Sequence, residues 1–268
     1  MHNIMKSFKD TLAGATNILI LTGSGVSAES GVPTFRGAGG FWRTYQATYL
    51  ATPQAFKANP SLVWEFYEYR RDLATKVQPN KAHEAIAHFE KKCMSDNKKV
   101  TVVTQNIDGL HQRAGSKNVI ELHGSLFKTR CTRCDNVEVN HNIPICPALQ
   151  GKCSPNPDDM SSDIPVEDLP KCQKNSCFGL LRPHIVWFGE NLDSDILAKT
   201  EEIVESCDIC LIAGTSSIVY PAAMFAPRVA ERGKPVAEFN LEETPATESF
   251  QYHFQGPCSV TLAEALSF

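Results

Sequence analysis

No stretch of the chain stays apolar for the roughly 18 residues that a membrane-spanning helix needs. Runs such as Ile18 to Leu21 and Cys210 to Ala213 are far too short. The first 20 residues lack a secretory apolar core and hold two Lys, one Asp and no Arg, unlike an organellar transit peptide. Net charge is only -4, which gives no global attraction to nucleic acid or to an anionic membrane; neither is expected as a partner. A local absence says more: between Glu29 and Glu65 there is no Asp or Glu at all.

That gap follows Gly23-Ser-Gly-Val-Ser-Ala-Glu-Ser-Gly-Val-Pro-Thr-Phe-Arg36, which opens directly after the apolar run Ile18 to Leu21. A strand entering a glycine-rich turn brings backbone N–H groups close to a diphosphate, so a nucleotide is expected. A dehydrogenase of this kind wants a carboxylate about 20 residues on, to hold the adenosine ribose. None is there. The turn runs instead into an aromatic and a cation, Phe35 and Arg36, which points to a dinucleotide used for something other than hydride transfer.

At 268 residues and 42% apolar content, the chain can bury the core of one large domain, or of a large and a small one. Four apolar segments end in polar loops: Ile18 to Thr22, Val100 to Thr104, Ile209 to Ala213 and Val236 to Phe239. Continuous apolar strands separated by helical stretches predict a doubly wound parallel sheet of Rossmann-like α/β type, with the four loops converging on one cleft. Helices are predicted over Ser61 to Lys76, Ala82 to Lys92 and Leu197 to Ser206. In the first, Leu62, Phe66, Tyr69 and Leu73 mark the apolar face. Residues 140–175 are rich in proline, Asp, Ser and Asn, and read as an inserted loop-rich module.

The cysteines suggest how that module is held. Cys131-x2-Cys134 and, 37 residues later, Cys172-x4-Cys177 are two close pairs of the kind tetrahedral zinc uses. The first follows a predicted strand at Leu126 to Thr129. A disulfide framework is the competing reading, with Cys146 and Cys153 between the pairs. Cys207-x2-Cys210 starts a buried strand and reads as core. The candidate for proton transfer is His123, after a short apolar strand and before Gly124, which lets another chain approach. The seven other histidines lack comparable surroundings.

Taken in order, the Gly23 to Arg36 turn, Thr104-Gln-Asn-Ile-Asp-Gly-Leu-His111, Glu121-Leu-His-Gly124, the two Cys pairs, Arg182-Pro-His-Ile-Val-Trp-Phe-Gly-Glu190, Gly214-Thr-Ser216 and Phe239-Asn240 resemble the motifs of the sirtuins, NAD-dependent protein lysine deacylases. The resemblance covers Leu19 to Cys258. It implies a Rossmann-like body over 1–125 and 183–268, a helical insertion over about 37–80, and a zinc-binding module over 126–182. One departure is Ser24, where the family usually has Ala; its hydroxyl is able to compete for a phosphate.

By the same resemblance, NAD would be held by Gly23, Ser24, Gly25, Val26 and Ala28 at the diphosphate, and by Thr34, Phe35, Arg36 and Trp42 near the nicotinamide ribose. Gln105, Asn106, Ile107 and Asp108 would hold the nicotinamide end. Gly214, Thr215, Ser216, Asn240, Leu241, Glu242 and Cys258 would surround the adenosine half. Cys131, Cys134, Cys172 and Cys177 would bind one structural zinc. The acyl carbonyl oxygen would attack the ribose carbon as nicotinamide leaves. His123 would then act as general base on a ribose hydroxyl, giving free lysine and O-acyl-ADP-ribose.

An acyl-lysine peptide segment of another protein would lie extended between Val186, Phe188, Gly189 and Glu190 on one side and the Val219-Tyr220-Pro221 loop on the other. Tyr67 and Arg70, three apart on one predicted helix, are a phenol and a guanidinium suited to a carboxylate; the plainer reading is a solvated helical face with Arg70 paired to a nearby Glu. The Tyr-x-x-Arg pair, with Ala47 widening the acyl pocket, is similar to the class III branch of the family, which removes succinyl, malonyl and glutaryl groups. Its members imply a mitochondrial location, with cytosol and nucleus as further sites. The alternatives on the same fold are a deacetylase, a mono-ADP-ribosyltransferase and a non-catalytic reader of acyl-lysine.

Overall fold

The computed structural model describes residues 2–35 and 40–267. Six parallel strands form its central sheet, in spatial order Tyr252–Gln255, Val236–Asn240, Ile209–Ala213, Asn17–Thr22, Lys99–Thr104 and Val119–Glu121. The chain begins at the centre, adds two strands on one side, and returns to add three on the other. The order therefore reverses between Asn17–Thr22 and Ile209–Ala213, and a crevice opens where such a reversal occurs.

The unbroken apolar strands follow from burial on both faces. Ile18 and Ile20 belong to one core with Phe8, Leu12 and Phe239, while Leu19 and Leu21 belong to another with Val204 and Phe225. Fully burying each such side chain contributes about 1.5–3 kcal/mol. Tyr252–Gln255 carries no such signature, because this edge strand buries only Tyr252 and Phe254. The predicted helices are present as Pro60–Lys76, Lys81–Ser95 and Ser194–Ser206.

A second, antiparallel sheet joins Val137–Val139, Gly124–Cys131 and Leu181–Ile185. The expected domain limits at 125/126 and 182/183 fall inside the last two strands, so this pair of strands carries the module rather than a linker. Gly124, at φ +82, lets them approach closely: a Cβ there would meet the His184 carbonyl oxygen at 2.2 Å.

The helix Pro60–Lys76 departs from its reading. Asn59 caps it by accepting the Leu62 N–H at 2.9 Å, and Pro60 occupies the first turn. Its periodicity predicts one wet face, yet Val63, Trp64, Glu65, Tyr67, Glu68, Arg70 and Arg71 are all buried, while of the predicted apolar face Leu62 and Phe66 are buried and Tyr69 and Leu73 only partly so. The module covers the polar side. Arg71 donates to the carbonyls of Leu126, Asn140 and Asn142, and Trp64 Nε1 donates to Leu181 O. Glu65 pairs with Arg43 at 2.9 Å and accepts from Ser61, Ser161 and Ser162. Arg43 in turn donates to the carbonyls of Lys152, Ser154 and Met160.

Removing one member of a buried ion pair leaves the other charged and unpaired, at a cost of about 3–5 kcal/mol. Glu65→Ala is therefore expected to lower unfolding stability by that order and to make segment 150–164 protease-sensitive. Equal urea midpoints and equal proteolysis for variant and parent would contradict it.

Candidate functional site

The turn after Asn17–Thr22 packs directly on the turn after Ile209–Ala213. Gly25 N–H donates to Gly214 O at 2.8 Å, and Gly23 N–H to Ala213 O at 3.0 Å. A Cβ on Gly23 would lie 2.7 Å from Gly214 O, and one on Gly25 2.8 Å from Gly214 Cα. These glycines thus answer first to turn-on-turn packing, a demand that a phosphate-cradling turn also makes. Ser24 and Ala28 are exposed, whereas Val26 is wholly buried in the core.

Side chains from the other strand ends tie this turn into one crevice. Asn106 Nδ2 donates to Gly23 O and Ser27 Oγ, both at 2.9 Å. Gln105 Nε2 reaches Thr215 Oγ1 at 3.2 Å, and Asn240 Nδ2 donates to Thr215 O at 2.9 Å. Leu241 N–H donates back to Asn240 Oδ1, Ser216 and Glu242 are exposed, and Cys258 is buried behind Phe239. Beneath them Leu21, Val103, Ile212, Gln105 and Thr215 line a small cavity.

At the other end Ile107 and Asp108 are buried, and Asp108 Oδ1 accepts the Leu110 N–H at 2.9 Å. Burial pushes the Asp108 carboxyl above the usual carboxylate range, against the pull of Leu110, Ser27 and Arg70. Trp42 is a core residue, 2% exposed and packed edge-on to Phe66, and offers a nucleotide little surface. Thr34 and Phe35 border the crevice's aromatic wall, in which Phe35 meets Phe66 and Phe188. Arg36 lies outside the described residues.

His123 Nδ1 lies 3.0 Å from Gln105 O. A carbonyl only accepts, so the proton sits on Nδ1 and Nε2 keeps a free lone pair. Burial lowers the His123 pKa, the Gln105 bond opposing it more weakly, which keeps the ring neutral and basic near pH 7.

Past His123 the chain meets the segment 186–190. Val186 N–H donates to His123 O and Phe188 N–H to Ala51 O; Phe188 is exposed and Gly189 has φ +89. The Glu190 carboxylate is taken by Arg182, at 2.6 and 2.8 Å. Ala47 is buried at the start of a short helix. Tyr67 is fully buried and accepts from Trp187 Nε1 at 2.9 Å. Arg70, 6% exposed, lies over Phe35 at 4.3 Å and donates to Pro33 O at 3.2 Å. Its Nε has no partner, and among the described residues no Glu or Asp forms an ion pair with it, so the plainer reading of an Arg70–Glu pair on a solvated face does not hold.

The four cysteines of the two pairs bring their sulfurs within 4.8 Å of one another. Cys131 to Cys177 is 3.7 Å and Cys134 to Cys172 is 3.8 Å. These separations are far beyond an S–S bond of about 2.05 Å. They match the edge of a tetrahedron with metal–sulfur bonds of about 2.3 Å, so the donor set fits a structural zinc. Gly179 makes room: a Cβ there would lie 2.7 Å from Cys131 Sγ.

One buried pair escaped the sequence reading, which left the other histidines without a role. His83 and His111 are 0% and 1% exposed, with ring centroids 4.8 Å apart. His111 Nε2 is 2.9 Å from Thr22 Oγ1, at the base of the nucleotide turn. His83 Nδ1 accepts the Asn80 N–H in a capping box, and Asn80 Nδ2 reaches Val26 O and Ser30 Oγ on that same turn. The spacing Asn80-x-x-His83 was the available signal, because it is a capping-box spacing.

Burial lowers His83 from 6.5 to about 4 and His111 from 6.5 to about 3. The unfolded chain binds these protons first as pH falls below 6.5, so the stability that the neutral rings contribute is intact above 6.5. It is lost at about 1.4 kcal/mol per pH unit per histidine until the folded-state values are reached. His83→Gln keeps a capping-box residue and should flatten the fall of urea stability between pH 6.5 and 5; an unchanged slope would remove His83 from this account. Gly179→Ala should release zinc at lower chelator concentration than the parent, and equal retention would show that the sulfur cage tolerates the methyl group.

A Sir2 family model matches residues 23–221. A Danio rerio protein named NAD-dependent protein deacylase sirtuin-5, mitochondrial, is 62% identical over 262 residues, covering 98% of this chain and 86% of its own. A solved Sir2 homolog–NAD complex superposes with a TM-score of 0.84 at 40% identity, covering 97% of this chain and 92% of the other. A Sir2–p53 peptide–NAD+ complex gives 0.78 at 31%, covering 97% and 95%.

Proposed function

Because the chain belongs to the Sir2 family and is an NAD-dependent protein deacylase, we propose that it removes acidic acyl groups, of the succinyl, malonyl and glutaryl class, from protein lysines. The observation that carries this is Arg70. A guanidinium that is 6% exposed, with an unpartnered Nε and no carboxylate in ion-pair contact among the described residues, is costly to bury. A substrate carboxylate supplies the missing charge, and the buried Tyr67 phenol one helical turn away adds a neutral donor. Burial raises the Tyr67 pKa well above its ordinary value, so the hydroxyl keeps its proton.

The remaining assignments are read on the same basis. Gly23, Ser24, Gly25, Val26 and Ala28 hold a diphosphate through backbone N–H groups. Gly214, Thr215, Ser216, Asn240, Leu241, Glu242 and Cys258 enclose the adenosine half, and Thr34, Phe35, Gln105, Asn106, Ile107 and Asp108 the nicotinamide half. NAD, when bound, supplies a ribosyl carbon that accepts the acyl oxygen as nicotinamide departs. His123 takes a ribose hydroxyl proton at Nε2, while the Gln105 carbonyl fixes its tautomer. Val186, Phe188, Gly189 and Glu190 border an extended peptide, and Ala47 leaves room for a longer acyl chain. Residues 126–182 act as a zinc-held module. Relatives named as mitochondrial support a mitochondrial site of action, with cytosol and nucleus as further sites.

Mass spectrometry of acetyl, malonyl, succinyl and glutaryl peptides incubated with NAD tests the reading. The acidic peptides are expected to react faster, and His123→Ala to abolish turnover of all four. Arg70→Met removes a charge-assisted bond worth about 1.5–3 kcal/mol, so desuccinylation efficiency should fall roughly 10- to 150-fold and deacetylation far less. Equal losses on both substrates would make Arg70 a structural residue.

A further inference from the structure

Among the described residues Tyr67 has one polar partner, the Trp187 indole Nε1 at 2.9 Å. An indole N–H donates and never accepts, so the polarity of this bond is fixed: the phenol oxygen accepts. One lone pair is thereby used, and the hydroxyl's own proton is left to a different acceptor. No described protein group takes it.

Trp187 is held tightly enough to impose that polarity. It is 2% exposed, and its ring lies between Phe56, at 5.3 Å, and Tyr67, at 6.2 Å. Its backbone N–H donates to Glu190 Oε2 at 2.9 Å, and Glu190 is forked by Arg182. The Arg182 guanidinium lies 3.5 Å over the indole face. A cation on the π face draws electron density from the ring and makes its N–H edge more positive. That edge is the one facing Tyr67.

We propose that Trp187 is a positioning residue for acyl selectivity: its N–H occupies the acceptor side of Tyr67, which commits the phenolic proton to the far carboxylate of an acidic acyl chain. The inference rests on the acidic-acyl reading of Tyr67 and Arg70. It extends the selectivity apparatus from the helix Pro60–Lys76 to Trp187, Glu190 and Arg182, which reach back to the strand Leu181–Ile185. An acetyl group presents no carboxylate and gains nothing from this arrangement.

Trp187→Phe keeps an aromatic ring between Phe56 and Tyr67 and removes only the N–H. Loss of one neutral hydrogen bond should raise KM for a succinyl peptide roughly 3- to 10-fold with little change in kcat, while the acetyl peptide changes less than about 2-fold. The ratio of the two efficiencies, taken on one preparation, does not depend on the folded fraction. If Trp187→Phe yields no folded protein, benzothienylalanine at position 187 keeps the bicyclic shape without the N–H. In a Tyr67→Phe background the same change should have no further effect on the succinyl peptide. A full additional loss there, an equal loss on both peptides, or an unaltered succinyl KM would each overturn the inference. Parent enzyme that prefers acetyl over succinyl peptides would instead sink the acidic-acyl reading on which it depends.

Discussion

One end of the crevice depends on one condition: along most of the helix Pro60–Lys76 the charged side chains are cut off from water, which reaches only Asp72 and the last turn. Glu65, Glu68, Arg70 and Arg71 are all buried along it, and buried charge is tolerable only where a partner is built for it. Glu65 has Arg43 and a set of serine and backbone donors, and Arg71 has Glu68 and three carbonyls of the zinc module. Arg70 alone of the four has a stacking partner and one carbonyl but no carboxylate in ion-pair contact among the described residues. The same covering that satisfies its neighbours keeps water from satisfying it, and this is the physical basis of the proposed acyl selectivity.

Most of the scaffold is legible in the sequence because the signals are local. A strand buried on both faces must be apolar at consecutive positions, and Ile18 to Leu21 or Ile209 to Ala213 say so without help from the rest of the chain. A four-thiolate site announces itself through short Cys spacings, and the sulfurs do converge. What escapes is whatever depends on a distant partner. The periodicity of Leu62, Phe66, Tyr69 and Leu73 presumes water on the opposite face, and nothing within the helix says that residues 126–164 cover it. His83 and His111 stand 28 positions apart and carry no motif in common. Trp187 reads as one aromatic among several until Tyr67, 120 positions earlier, is placed beneath its N–H.

The glycines illustrate how one motif can have two causes. Read as a nucleotide turn, Gly23 and Gly25 are small so that phosphate oxygens approach the backbone. In the folded chain each also has another turn against it, at Gly214, within 3 Å of where a side chain would begin. Both demands select the same residue, so sequence alone cannot separate them.

Asn80 belongs to two elements at once. Its Oδ1 receives the first turn of the helix Lys81–Ser95, and its Nδ2 holds Val26 and Ser30 at the far end of the nucleotide turn. A single planar amide cannot rotate to suit one side without breaking with the other. The first turn of that helix and the loop beside the crevice therefore share one conformational degree of freedom, and ordering of the loop is also protection of the helix start against fraying.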